Sequence, residues 1–218
     1  MEEAYEVFDY LPINKRSSTE QDYIDHLWQS FLVLSESTNP TTVAFSVFPF
    51  HLLFMLSVQY KVLRISKFNQ KEYQLVFTFG HTRGGNDDIL APDSVFQLGT
   101  IKESSLFDFL KLVNLDSEMI KSCKAMVKNR NDQMAHAKGG IESDPEARIL
   151  QYLDMLKQIQ NCFLSVNNEI AKTWLKEMGT GQDGMEYMES HLANDYLCPA
   201  DMQQGKLSTL ENRLNGTV

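Results

Sequence analysis

The chain has 218 residues, 43% of them apolar and 22% charged, the balance of an ordinary globular protein with room for one substantial core. Its 20 basic residues face 29 acidic ones, a net charge of −9, which argues against broad, nonspecific coating of nucleic acid and leaves only a local basic site. The three cysteines, Cys123, Cys162 and Cys198, form no CxxC pair and no zinc pattern with the histidines, so free thiols in a reducing, cytoplasmic setting are expected.

Residues 1–19 begin with MEEAYEVFDY, an acidic stretch with neither the basic start nor the apolar centre of a signal peptide. With Pro12 and the polar run from Asn14 to Ser18, they read as a loosely ordered lead-in to one helical domain covering 1–218. From Glu20 to Glu36 a helix is expected, because Tyr23, Ile24, Leu27, Phe31 and Leu34 recur at three- and four-residue steps. Asn39-Pro40-Thr41 then opens the most apolar segment, Val43–Leu63. Its uninterrupted part is short of the roughly 20 residues a membrane span requires, and it contains Ser46, Pro49, His51 and Ser57. A buried central helix kinked at Pro49 is expected, with His51 a hydrogen-bonded core histidine and no membrane partner.

Glu72 to Phe79 changes period. Tyr73, Leu75, Phe77 and Phe79 alternate with polar residues, the pattern of a half-buried strand. The loop HTRGGNDD follows, and Ser94 to Ile101 reads as a returning strand, so 67–102 is expected to form a β-hairpin-like insertion. Gly84-Gly85 lacks the lysine and helix of a phosphate loop and reads as a turn, flanked by His81 and Arg83. Glu103–Leu115 is a short helix. Ser117–Gly140 is an amphipathic one, capped by Asp116 or Ser117 and stopped by Gly139-Gly140. A long helix from Pro145 to about Met178 follows, antiparallel to its predecessor because the connection is short. Two further helices, Glu186–Tyr196 and Ala200–Leu214, are separated by Cys198-Pro199.

The Ser117–Gly140 helix holds the anomaly. Projected at about 100° per residue, Met119, Ile120, Cys123, Met126, Val127, Met134 and Ala137 form one apolar stripe, with Lys121, Lys124 and Lys128 opposite it. Arg130 falls inside the stripe. A guanidinium facing a core is costly unless paired or lining a cavity. Either it bonds a carboxylate on a neighbouring helix or snorkels to water, or it faces a cleft in company with Asn131 and His136. Lys121, Lys124, Lys128, Arg130 and Lys138 against Asp132 alone give this stretch a local charge of +4, the most basic part of an acidic chain.

No GxSxG elbow, HExxH, Walker motif or clustered two-metal acid set is present in the sequence. What remains is Arg130-Asn131, four residues, then His136, in a mainly helical chain. This motif resembles that of the HEPN superfamily, the higher-eukaryote and prokaryote nucleotide-binding helical domains. The resemblance covers one helix. It implies an all-α, HEPN-like bundle and a metal-independent endoribonuclease that needs no cofactor. Arg130, Asn131 and His136 would be catalytic, and Lys124, Lys128 and Lys138 would hold RNA. Histidine titrates near neutrality and can move the protons of 2′-hydroxyl attack, while arginine holds phosphate charge. The family's usual arrangement is a homodimer with two motif helices at a shared cleft. A toxin or phage-defence role, with a cognate antitoxin or regulatory protein, belongs to the same expectation. The β-hairpin-like insertion and the extra C-terminal helices are not required by the family. The alternatives are a non-catalytic HEPN-like nucleotide-binding or protein-interaction module, or a helical interaction protein in which Arg130 only pairs with an acid.

Overall fold

The computed structural model describes residues 2–15, 17–80, 89–132, 142–178, 191–192 and 194–214. A 3-10 helix, Glu2–Tyr10, comes first. Its Ala4 and Val7 are buried together with Leu11, and the rings of Tyr5 and Phe8 meet Trp28 edge-on at 4.7 and 5.0 Å. The loosely ordered lead-in expected for 1–19 is therefore corrected over this helix: apolar residues three and four apart dock it as part of the core wall. Helix α1 (Ser18–Ser35) starts where the Ser17 hydroxyl accepts from the Glu20 N–H, and it buries Ile24, Leu27, Trp28 and Phe31. The short α2 (Pro40–Ala44), capped by Asn39, turns through Phe45-Ser46 into α3 (Val47–Phe68). Pro49 is the third residue of α3, where a backbone N–H has no partner within the helix to lose. It marks a helix start, where a kink was expected.

Helix α3 is the core of the bundle. Phe50, Leu53, Phe54, Val58, Val62, Leu63 and Ile65 are all fully buried. One stretch among the described residues, within Pro40–Phe68, is long and apolar enough to cross a membrane, with a mean hydropathy of 1.7. Two-thirds of it (67%) is buried by the rest of the chain, so its apolar surface is used for packing.

The β-hairpin-like insertion expected at 67–102 is replaced by helices α4 (Gln70–Gly80) and α5 (Val95–Leu98), and no strand occurs among the described residues. The alternation of Tyr73, Leu75, Phe77 and Phe79 also contains a one-turn helical pair. Tyr73 and Phe77 are buried, whereas Leu75 and Phe79 are 56% and 82% exposed. The core accepts one face only: Tyr73 stacks on Phe109 at 4.9 Å, and its hydroxyl donates to the Ile89 carbonyl at 2.9 Å. The loop with His81, Arg83 and Gly84-Gly85 lies outside the described residues.

Helix α6 (Glu103–Phe109) continues as a 3-10 turn, Leu110–Val113, and ends at Asn114 in the left-handed region (φ 63°). Helix α7 (Ser117–Arg130) is capped by the Asp116 carboxylate, which accepts from the N–H groups of Glu118 and Met119. Its stripe is buried as expected at Ile120, Cys123, Met126 and Val127. The closest backbone neighbour of α7 is α6. The single long helix expected after Pro145 is two, α8 (Pro145–Asn161) and α9 (Leu164–Met178); α7 touches the first of these where Cys123 Sγ lies 3.8 Å from Met155 Sδ. Likewise α10 (Pro199–Met202) and α11 (Gly205–Leu214) stand where one C-terminal helix was expected. Most of the expected Glu186–Tyr196 helix lies outside the described residues.

A buried ionic hub explains these breaks. Asp201, fully buried on α10, accepts from Lys61 Nζ at 3.0 Å and Arg64 Nη2 at 2.7 Å, both cations on α3. Gln160 Nε2 on α8 and Asn167 Nδ2 on α9 add bonds of 2.7 and 3.0 Å, and the Cys198 backbone N–H adds another at 3.0 Å. Phe163, between α8 and α9, presents its ring to Lys61 and Arg64 at 5.0 and 5.2 Å. Burial alone would raise the Asp201 carboxyl, but Arg64 and Lys61 outweigh it and hold the group well below its usual range.

Candidate functional site

Arg130 closes α7 and reaches across to α6. Its side chain is 10% exposed, and Nη2 donates to Glu103 Oε2, which is 31% exposed. The guanidinium carbon also lies 5.7 Å from the centre of the half-exposed Phe48 ring at the start of α3, within cation–π range. Of the expectations for Arg130, the pairing with a carboxylate on a neighbouring helix is thus present. The pair lies at the edge of the bundle, next to an aromatic ring that meets solvent.

Behind Glu103 the polar chain runs inward. His51 Nε2 on α3 is 3.7 Å from the same Oε2 oxygen, too far for a hydrogen bond but close enough for charge to be felt. His51 Nδ1 lies 2.9 Å from the Tyr152 hydroxyl on α8. Four elements therefore contribute one residue each: Tyr152 from α8, His51 from α3, Glu103 from α6 and Arg130 from α7. His51 is fully buried, and among the described residues only one of its two nitrogens has a hydrogen-bond partner; Nε2 has none there, and neither does Arg130 Nε. Burial lowers the His51 pKa below its ordinary 6.5, with Arg130 acting the same way and Glu103 opposing. For Glu103 burial acts upward, but His51 and Arg130 outweigh it and keep the carboxyl below its ordinary range. The site is a neutral imidazole behind a carboxylate–guanidinium pair.

The other expected site residues are less concentrated. Asn131 follows Arg130 as the C-cap and is half-buried. Lys124 places its ammonium 2.8 Å from both oxygens of Asp108, tying α7 to α6, while the exposed Lys128 pairs with Asp132 at 2.6 Å. Lys121 pairs with Glu118 at 2.7 Å. Each described cation of the basic helix is thus matched to an acid, so the local excess of +4 read along the chain is largely neutralised in space. His136 and Lys138 lie outside the described residues. Among the described residues, no group of His, Cys, Asp and Glu is arranged to hold a metal ion.

The residues that sequence reasoning missed are Glu103, Tyr152 and Phe48, together with the outward-facing nitrogen of His51. Glu103 had a visible signal, an acid in the first turn of a helix, but that position is favourable for any helix and points to no partner. Phe48 and Tyr152 carry no local signal, since an aromatic residue in an apolar helix is ordinary core material. No family model, curated protein or solved structure matches the chain.

Proposed function

We propose that the chain is a metal-independent endoribonuclease of HEPN type, acting as a homodimer in which two copies of Arg130, Asn131 and His136 border one cleft. The observation that carries the reading is Arg130, the first residue of the motif. It ends its helix at the margin of the bundle, held by Glu103 and backed by Phe48, where a residue needed only for packing would be apolar. In this reading His136 moves the protons. It accepts one from the 2′-hydroxyl or delivers one to the departing 5′-oxygen, with the second role supplied by the partner copy. Arg130 stabilises the charge that builds on phosphorus as the 2′-oxygen attacks. A toxin or phage-defence role, restrained by an antitoxin or regulatory protein, is part of the same proposal.

The test is cleavage of RNA with chelator present. Replacing His136 by Ala should lower the rate by about 10²-fold or more. Arg130→Lys should lower it too, because the charge stays and the planar fork is lost. Cleavage by both variants at the parent rate would defeat the nuclease reading. The matched cations of α7 favour a second reading, a non-catalytic HEPN-like module that binds a nucleotide or a protein, since little free positive charge is left on that helix for an RNA backbone. Nucleotide binding without turnover, measured by calorimetry, would select it.

A further inference from the structure

We infer that Glu103 is a positioning residue for Arg130, and that His51 and Tyr152 anchor Glu103 from within the core; this rests on the nuclease reading above. The chain of contacts has a direction. Neutral His51 carries one ring proton. If that proton sat on Nδ1, the Nε2 lone pair would face the Glu103 carboxylate at 3.7 Å, two electron-rich groups toward each other. With the Tyr152 hydroxyl donating to Nδ1 across 2.9 Å, Nε2–H points toward the carboxylate instead. The order is Tyr152 O–H to His51, His51 N–H toward Glu103, and Glu103 accepting from Arg130. Both approaches to Glu103 fall on one oxygen, Oε2.

A purely structural account explains this arrangement poorly. Two of the buried polar atoms in this four-residue relay, His51 Nε2 and Arg130 Nε, lack hydrogen-bond partners among the described residues, and each such atom costs stability. Apolar residues of the same volume would hold these four helices together at least as well. The hub around Asp201 differs at its acid, since that carboxylate is surrounded by donors, although Arg64 Nε there also has no partner among the described residues. In the Arg130 chain one end is sealed in the core at Tyr152 and the other reaches the surface at Glu103 and Phe48. A guanidinium that must meet a phosphoryl group in one orientation gains from this. Glu103 engages Nη2, and the Phe48 ring lies 5.7 Å from the guanidinium carbon, so the group is held from two sides.

The experiment uses the full chain. Glu103→Gln keeps the shape of the side chain and removes its charge, and circular dichroism establishes that the variant folds. Two readouts follow. In arginine-labelled ¹⁵N spectra, the Arg130 Nε–H signal, identified by its loss in Arg130→Lys, should show slow solvent exchange in the parent and faster exchange in Glu103→Gln. In RNA cleavage with chelator, Glu103→Gln should lower kcat about 10- to 100-fold, the scale of a misplaced group, with KM changed little. A residue important only for stability would lower the melting temperature and leave kcat intact well below it. An Arg130 signal identical in parent and Glu103→Gln, or an unchanged kcat, overturns the inference. If the parent itself cuts no RNA, the nuclease reading falls, and the spectra alone decide whether Glu103 holds Arg130.

Discussion

Replacing Asp201 by Asn tests the hub that ties the C-terminal segment to the core. The carboxylate is fully buried and is the acid shared by Lys61 and Arg64, themselves 2% and 1% exposed. Asparagine would leave two buried cations without a counter-charge and put an NH₂ group among donors. Removing one partner of a buried ion pair costs about 3–5 kcal/mol, a large part of the 5–15 kcal/mol by which domains are typically stable. At roughly 2–4 °C per kcal/mol for a chain of this size, melting should fall by about 6–20 °C. Urea unfolding and thermal melting followed by circular dichroism measure it, with Glu118→Gln as a control. Glu118 forms an exposed pair, worth less than about 1 kcal/mol. The acid limb gives a second reading. Because the folded carboxyl titrates well below its ordinary 3.8, its contribution is full above that value and is lost as pH falls below it. The Asn variant should therefore show a flatter acid limb than the parent. A loss under about 1 kcal/mol, the value of a surface pair, with the acid limb unchanged, would refute the hub as a structural tie.

Three further outcomes are expected. His51 is held neutral by burial, its folded pKa lying below 6.5. Its contribution is present above pH 6.5 and is lost as pH falls toward the folded value, so urea midpoints for His51→Phe should depend less on pH below 6.5 than those of the parent. Gly205 has φ 58°, and a Cβ there would sit 2.5 Å from Asn168 Oδ1 and 2.7 Å from Leu164 Cδ1. Gly205→Ala should cost at least the roughly 1–2 kcal/mol of a left-handed L-residue, read as a lower urea midpoint. Burial pushes the Cys123 thiol up to about 12 and the Cys198 thiol up to about 11. A thiol reagent should therefore label the half-buried Cys162 first in the native protein and reach the other two only on unfolding.

The sequence by itself determined the mainly helical architecture wherever apolar spacing had one reading. The α1 periodicity, the buried Val43–Leu63 segment and the Met119–Val127 stripe all became packed faces, because the 3.6-residue repeat leaves one way to bury such residues. Arg130 was legible as an anomaly for the same reason, a charge on an apolar stripe. Local pattern could not separate strand from helix at Tyr73–Phe79, where the same apolar residues suit both periods until Phe109 covers one face. Nor could it place the break after Asn161, which contains neither Gly nor Pro and follows from the demand of Lys61, Arg64 and Asp201 for partners on α8 and α9. Only the tertiary structure brought Glu103 and His51, 52 positions apart, to Arg130, and matched the lysines of α7 with acids. Ion pairing between helices depends on distance in space, and the one-dimensional order of charges carries no information about which acid will stand opposite which base.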